Sequence, residues 1–389
     1  MILALQPDET VDLTHAVRAL CERMAGEVRV REVAHARTES HSRGFDAEMW
    51  HVLCGQLDVA RIAAPQHLGG AGYGATALGV VAHELGRSLA PVPFLASAVL
   101  AVGLVIDCIE EGGAGAAPLL LEALLAGERT AALVAACDGG FWQPTSPAVE
   151  AASRDNGALL TGVAHHVLHG SASDDLVVVA ECDGQLGVYW LSADDVGVVR
   201  VAEPVLDGTR PMATISFDAA PAVMLANGPT LAELIVRRID IGIAVLSAEQ
   251  VGTNERLLEL AVDYAGSRSQ FGHPIGSFQS IKHRCADMLI DLEWARSASQ
   301  AALQAVDDLP VGAGAELSWR ASMAKAVCSE ALRAASHANL QIRGGIGFTW
   351  EDCAHLYLKR ATTDEVILGG TAVHWDRLGA AVGTDPGHR

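Results

Sequence analysis

From Asp12 to Leu125 apolar residues recur at the three-to-four-residue interval of a helix with one buried face. The pattern predicts helices over Asp12–Gly26, Ala47–Leu57, Ala75–Ala90 and Ala117–Leu125. Two breaks interrupt it, PQHLGGAGYG (Pro65–Gly74) and APVPF (Ala90–Phe94), where glycine and proline cannot continue a helix. Near Arg129 the period changes. TAALVAAC, ALLTG, DLVVVAEC, LGVYWL and ATISFDA are short, β-branched or alternating runs separated by Asp-Gly, Asn-Gly and Ser-Ala-Ser-Asp turns. They predict a small antiparallel β domain, roughly Arg129–Ala226. From Pro229 the helical period returns over Leu231–Ser267, Phe278–Asp307 and Glu316–Leu340, with Val311–Glu316 as a connector. The fold class is α+β, mostly α: an N-terminal helical domain (1–128), a central β domain (129–227) and a C-terminal helical bundle (228–389).

Composition narrows the function classes. Half of the 389 residues are hydrophobic, enough to bury a large core in two or three structural units. The formal net charge of -20 excludes attraction to nucleic-acid phosphates or anionic membranes through bulk electrostatics. An anionic ligand has to be met by a local basic patch. The eight cysteines are scattered singletons, as expected of small buried hydrophobes in a reducing cytoplasm. No secretory signal is read at the N-terminus, and the apolar run Val99–Ile106 is too short to span a bilayer.

Two segments carry candidate chemistry. In YAGSRSQFGHPIGSFQSIKHRCADM (Tyr264–Met288), Arg268 and Phe271 end the long helix before a Gly-His-Pro turn, and Phe278 and Gln279 open the next. A planar guanidinium beside an aromatic ring suits a pyrophosphate next to a flat ring system. In QIRGGIGFTWEDCAHLYLKRA (Gln341–Ala361), Gly344, Gly345 and Gly347 follow a long helix and permit close backbone approach to a ligand. Neither segment decides anything alone: a surface Arg with a core Phe, and a plain helix C-cap, account for each. The glycines are not a nicotinamide fingerprint, because no strand precedes them and no βαβ unit surrounds them.

Taken together, the two segments, their order and the helical–β–helical layout resemble the acyl-CoA dehydrogenase family over nearly the whole chain. PQHLGGAGYG looks like that family's loop between early helices, and LTGVAHHVLHGSASDDLVVVA like its β-domain strand pair. The resemblance implies a C-terminal four-helix bundle and FAD as cofactor. It also implies that Arg268, Phe271, Phe278, Gln279, Gln341, Gly344 and Gly345 contact the pyrophosphate and adenosine end of an FAD held by a neighbouring subunit. The family's reaction is α,β-desaturation of an acyl-CoA: a carboxylate removes the α-proton while a hydride leaves the β-carbon for the flavin.

The sequence departs from the family where that carboxylate belongs. One usual position, a Glu before Gly-Thr, is occupied by Gly369; the alternative on the long helix falls at Gly242. The flavin-ring loop and strand end read ACDGGFWQP (Ala136–Pro144) and HVLHG (His166–Gly170), without the usual hydroxyls. This asymmetry resembles the non-catalytic subunit of the α2β2 acyl-CoA dehydrogenases of sterol-degrading actinobacteria. That resemblance implies no catalytic residue in this chain, an FAD shared with a catalytic partner subunit, an acyl-CoA substrate and an electron-transfer flavoprotein as acceptor. Lipid or steroid catabolism in the cytoplasm would be the setting, with no nucleic acid and no membrane as partners. Two alternatives stand beside it: a homo-oligomer using Asp240, Glu249, Asp364 or Glu365 as a non-standard base, and a flavin-free scaffolding subunit. His165 and His169 would share one face of a strand with His166 opposite; without a carboxylate or cysteine at ligand spacing, metal is not expected. Lys282, His283 and Arg284 read as a solvated or interface face.

Overall fold

A computed structural model describes residues 2–35, 44–113, 117–135, 147–154, 157–310 and 312–383. The segment Ala136–Pro144, expected as the flavin-ring loop, lies outside the described residues.

The N-terminal helices are α1 (Pro7–Met24), α2 (Glu27–His35), α3 (Ala47–Leu57), α4 (Ala75–Arg87), α5 (Val102–Glu110) and α6 (Ala117–Leu125). The sequence pattern finds four of them and passes over α2, whose alternating Val and charged residues give no clear apolar stripe. The apolar run Val99–Ile106 is helical, and it includes the end of an unusual piece. Residues Phe94–Ala101 form a π-helix, buried at every position, that leads into α5.

The β region contains β1 (Ala131–Val134), β2 (Val149–Arg154), β3 (Gly157–Leu168), β4 (Asp175–Cys182), β5 (Gln185–Ser192), β6 (Val198–Ala202) and β7 (Met212–Asn227). The path β4-β2-β3-β7-β5 closes on itself because β5 also pairs with β4, so the sheet encloses its own core around Leu160, Leu176, Ile215 and Phe217. The expectation of an antiparallel domain needs one correction. β1 and β2 both pair with β4 in parallel, while the remaining pairs are antiparallel. β2 and β6 escaped the sequence reading: β2 is rich in Ala and Ser, and β6 is an edge strand with Val199 and Val201 turned to solvent.

Three long helices dominate the C-terminal region, α7 (Leu231–Ser267), α8 (Gln279–Asp308) and α9 (Gly314–Arg343), joined by α10 (Ala354–Val366) and α11 (Thr371–Ala381). The two strands β8 (Ser269–Gln270) and β9 (His273–Pro274) link α7 to α8. The bundle and the N-terminal helices share one hydrophobic core. α4 and α7 cross with their backbones nearly touching. A Cβ on Gly252 would stand 2.0 Å from the His83 carbonyl oxygen, and one on Gly86 2.2 Å from that of Glu249. Only glycine fits at these two points. Among the described residues no helix is long and apolar enough to cross a membrane, and every cysteine is a free thiol.

Candidate functional site

The two sequence motifs meet at one end of the bundle. Arg268 caps α7, and the chain reverses through β8 and β9 on a two-residue turn, Phe271-Gly272, with φ of +53° and +81°. Positive φ at both central positions is the turn that matches the twist of a tight hairpin. The bond from Ile275 N–H to the Arg268 carbonyl (2.8 Å) closes it. Phe271 is 85% exposed and meets Phe278 edge-to-face, with ring centroids 6.2 Å apart. Gln279 opens α8 and lies on the same exposed surface.

The second motif ends α9. Gly344 terminates the helix at φ +62°, and Gln341, Gly344 and Gly345 are all exposed. An added Cβ at Gly344 or Gly345 would meet no atom of this chain within 4 Å. Gly344 is explained by its backbone angle; the open space at Gly345 is not required by anything inside the chain. Tyr264 and Arg343 join the two helix ends: the tyrosine O–H donates to the Arg343 carbonyl (3.3 Å), and the guanidinium carbon lies 5.4 Å from the ring centroid. Neither residue was singled out from sequence. Arg268 has no ion pair among the described residues, and Lys282, His283 and Arg284 continue the exposed face onto α8.

Gly242 and Gly369, the positions at which the resemblance expects a base, are linked through Leu368. A Cβ on Gly242 would stand 2.5 Å from Leu100 Cδ2 and 3.5 Å from Leu368 Cδ1, and Leu368 is the neighbour of Gly369. Leu100 belongs to the π-helix. The space a base would enter from α7 is filled by hydrocarbon. At the other position the backbone is left-handed twice, with φ of +57° at Leu368 and +99° at Gly369. The Leu368 carbonyl pairs with His374 Nε2 at 2.9 Å, which fixes this turn against α11. Sequence showed the missing side chains but not Leu100, which is distant in the chain and carries no motif.

The four alternative carboxylates are all held by cations. Asp240 accepts from Ser318 Oγ and from Arg377 Nη1 (3.1 Å); burial pushes its pKa up. Glu249 lies between Arg210 and Arg360, with Arg360 Nη1 at 2.6 Å. Asp364 has Arg210 Nε 2.9 Å away, and burial, outweighing that guanidinium, pushes its carboxyl up to about 7. Glu365 faces Arg333 at 3.8 Å on a partly exposed side. Arg360 also holds Asp207 (2.7 Å) and Thr209, tying the loop before β7 to α7 and α10. Lys325, fully buried and pushed down to about 8 by burial, donates to the Asp364 (2.5 Å) and Glu365 (3.2 Å) carbonyls at the C-terminal end of α10. Three buried carboxylates, Asp207, Glu249 and Asp364, thus face three cations, Arg210, Arg360 and Lys325. The void left beside this cluster and Phe94, Leu95 and His169 is about 10 Å³, the room of one water. A general base must reach a substrate proton, and Glu249 has room before it for one water only.

The strand end His166–Gly170 is reshaped by a bulge in the β3–β7 pairing between Ala164 and Val167, with φ +57° at His166. The expected alternation of the three histidines fails there. His165 and His166 are both exposed, on Thr214 (3.0 Å) and Glu203 (2.6 Å), and His169 is buried beyond the strand near Phe45. Among the described residues no group of three His, Cys, Asp or Glu is placed to hold a metal. The side chains therefore fit FAD unevenly. The open Arg268–Gly345 face suits an adenosine and pyrophosphate, while the strand end His166–Gly170, expected to meet the ring, offers no hydroxyl.

Residues 7–133 match the family "Acyl-CoA dehydrogenase, N-terminal domain", and residues 232–383 match "Acyl-CoA dehydrogenase, C-terminal domain". The chain belongs to the acyl-CoA dehydrogenase family. It is 31% identical to acyl-CoA dehydrogenase IpdE2 of Mycobacterium tuberculosis over 382 residues, 98% of this chain and 99% of the relative. It is 34% identical to FadE34 of the same organism over 368 residues, 92% of this chain but 46% of FadE34. Among solved structures, the ChsE4-ChsE5 complex from Mycobacterium tuberculosis superimposes with a TM-score of 0.83 at 26% identity, covering 98% of this chain and 99% of the other. A variant of the Tcur3481-Tcur3483 steroid ACAD gives the same TM-score and identity over 97% of this chain and 98% of the other.

Proposed function

We propose that this chain is the non-catalytic subunit of a hetero-oligomeric, flavin-dependent acyl-CoA dehydrogenase. It carries no base of its own and completes the FAD site of a catalytic partner subunit, in an α2β2 assembly. The observation that carries this reading is the contrast between two sites in one chain. A side chain at Gly242 would run into Leu100, and Gly369 holds a left-handed backbone beside Leu368, whereas the Arg268–Gly345 face stands open. Arg268 supplies a guanidinium for the pyrophosphate. Phe271 and Phe278 present rings, Gln279 and Gln341 present amides, and Gly344 and Gly345 let the backbone approach the adenosine end. FAD, when bound, supplies hydride acceptance; this chain's residues hold one end of it and exclude water there.

The solved relatives support the assembly, since two of them are two-component proteins by name, one a steroid ACAD. FadE34 supports it differently: a region like this chain fills less than half of that protein. The α8 surface also exposes Leu289, Ile290 and Trp294, apolar groups that a partner would cover. An acyl-CoA with a lipid or steroid side chain as substrate, an electron-transfer flavoprotein as acceptor and a cytoplasmic setting follow from the same reading.

The test is to purify the chain alone and co-expressed with the product of the neighbouring gene, and to record flavin absorbance and acyl-CoA oxidation. Flavin and turnover appear only in the pair. Arg268→Ala lowers the flavin content of the pair and removes no catalytic group. Turnover by the isolated chain sinks the proposal, and an Arg268→Ala pair with full flavin content refutes the cross-subunit contact. Absence of flavin from both preparations leaves a scaffolding subunit as the reading that stands.

A further inference from the structure

A cavity of about 310 Å³ lies where α1, α2 and the end of α4 meet α7 and the start of α10. It is far larger than the void beside Glu249 and reaches the size range of small-molecule sites. Its lining includes no residue of the Arg268–Gly345 face, and neither Leu100, Gly242 nor Gly369. Part of the wall is apolar, formed by Val30, Leu89, Leu260 and Leu356. The thiols of Cys21 and Cys353 join it. Burial pushes both up, Cys21 to about 12, so near pH 7 they are neutral and behave as apolar surface.

Three arginines also line it. Arg18 grips Glu84 with Nε and Nη2, both at 2.8 Å, and its Nη1 makes no hydrogen bond among the described residues. Arg87 gives Nη1 to Glu255 (2.7 Å) and Nη2 to Glu259 (2.8 Å). Arg256 gives Nη1 to that same Glu259 at 2.9 Å, and its other donors stand beside the Tyr357 phenol. Neither Glu255 nor Glu259 lines the cavity. The carboxylates that do are already bonded or face water. Both Glu84 oxygens hold Arg18, Glu27 holds Arg31 (2.6 and 3.0 Å), and Glu22 is exposed to solvent. Among the described residues the cavity is therefore left with spare guanidinium donors and no carboxylate committed to them. Spare donors beside an apolar wall suit a ligand that carries paired acceptor oxygens on a hydrocarbon body.

We propose that this cavity binds an amphipathic monocarboxylate, with its hydrocarbon body against Leu89, Leu260 and Leu356 and its carboxylate on Arg18 and Arg256. A carboxylate matches the spare donors in charge and in its two oxygens. A phosphate dianion asks for more cation than is left over, since Arg87 and Arg256 already share Glu259. The ligand has neither a nucleotide nor a flavin, and the cavity is separate from the face assigned to the FAD. The inference therefore does not rest on the subunit role proposed above.

The full-length chain, alone and in the co-expressed pair, is titrated with 4-phenylbutyrate, octanoate, the neutral octanamide and inorganic phosphate, followed by saturation-transfer NMR and isothermal titration calorimetry. At least one acid binds saturably at a single site per chain, and the amide and phosphate each bind at least about tenfold more weakly. Arg256→Gln weakens the acid by roughly tenfold, the weight of one charge-assisted hydrogen bond. Leu260→Trp, which narrows the cavity, weakens acid and amide alike. Arg320→Gln, outside the cavity, changes nothing, and circular dichroism confirms that each variant folds. No saturable binding of either acid, equal affinity for octanoate and octanamide, or affinity unchanged in both cavity variants overturns the site. So does displacement of the acid by FAD or by coenzyme A, which would place it in the site of the dehydrogenation rather than in this cavity.

Discussion

A Cβ at Gly242 would stand 2.5 Å from Leu100 Cδ2, well inside the distance that packed carbon atoms keep. Restoring a carboxylate is therefore not a matter of one substitution. Gly242→Glu has to displace Leu100, and Gly369→Glu has to adopt a φ of +99° that L-residues rarely take. Neither variant gives the isolated chain acyl-CoA oxidation, and each loses about 1–3 kcal/mol of stability in urea denaturation. Leu100→Ala relieves part of that loss in the Gly242→Glu background and not in the Gly369→Glu background. Equal relief in both would show that Leu100 does not occupy the α7 position selectively. At this scale the sequence was informative about absence. The two glycines were legible because their neighbours align with a motif; the leucine filling the gap was not, because nothing in a single aliphatic residue marks what it packs against.

The contact between α4 and α7 is bound by charge as well as by glycines. His83 lies between Glu84 (3.0 Å) and Glu255 (3.3 Å), and Arg18, Arg87 and Arg296 complete the network from α1, α4 and α8. Burial works against protonation of His83, but the two glutamates outweigh it and raise its pKa above the ordinary 6.5. A raised folded pKa gives stability that is full below about pH 6.5 and is lost as pH rises through the folded value. Glu84 behaves oppositely. Burial again opposes, but Arg18 and His83 bring its carboxyl down to about 2, so its contribution is present above 4.5 and fades as pH falls toward 2. His83→Gln consequently flattens the decline in melting temperature on the alkaline side of pH 6.5 and leaves the decline toward pH 2 driven by Arg18 in place. An unchanged alkaline slope would remove His83 from the account. The helices themselves were legible from period. α7 begins and ends where its pattern does, and α8 and α9 differ only by a few residues at their ends. The π-helix was not legible, since every one of its residues is apolar or small and such a run has no face.

Across the whole molecule, the acidic chain exposes apolar side chains chiefly on its bundle: Phe271, Ile290, Trp294, Phe348 and Trp350 among them. A surface of this kind belongs to a chain that is covered in its working state. Trp294→Glu should dissociate the co-expressed pair in size-exclusion chromatography without lowering the melting temperature of the chain alone, because the indole is 69% exposed before any partner binds. A pair that elutes unchanged would place the interface elsewhere. The order helices, sheet, bundle was legible along the chain, since hydrophobic period is a local property set by which face of each element is buried. The Arg268–Phe271 and Gln341–Gly345 motifs were legible there too, as were the glycines at the two positions where the resemblance expects a base. What folding added is that Leu100 fills the space in front of Gly242 and that all four remaining carboxylates are held by cations. It also decided that β1 and β2 lie parallel to β4, and that an unpaired lysine rests on an exposed indole. These are contacts between residues far apart in the chain, and a pairing energy between distant side chains leaves no period or spacing to read.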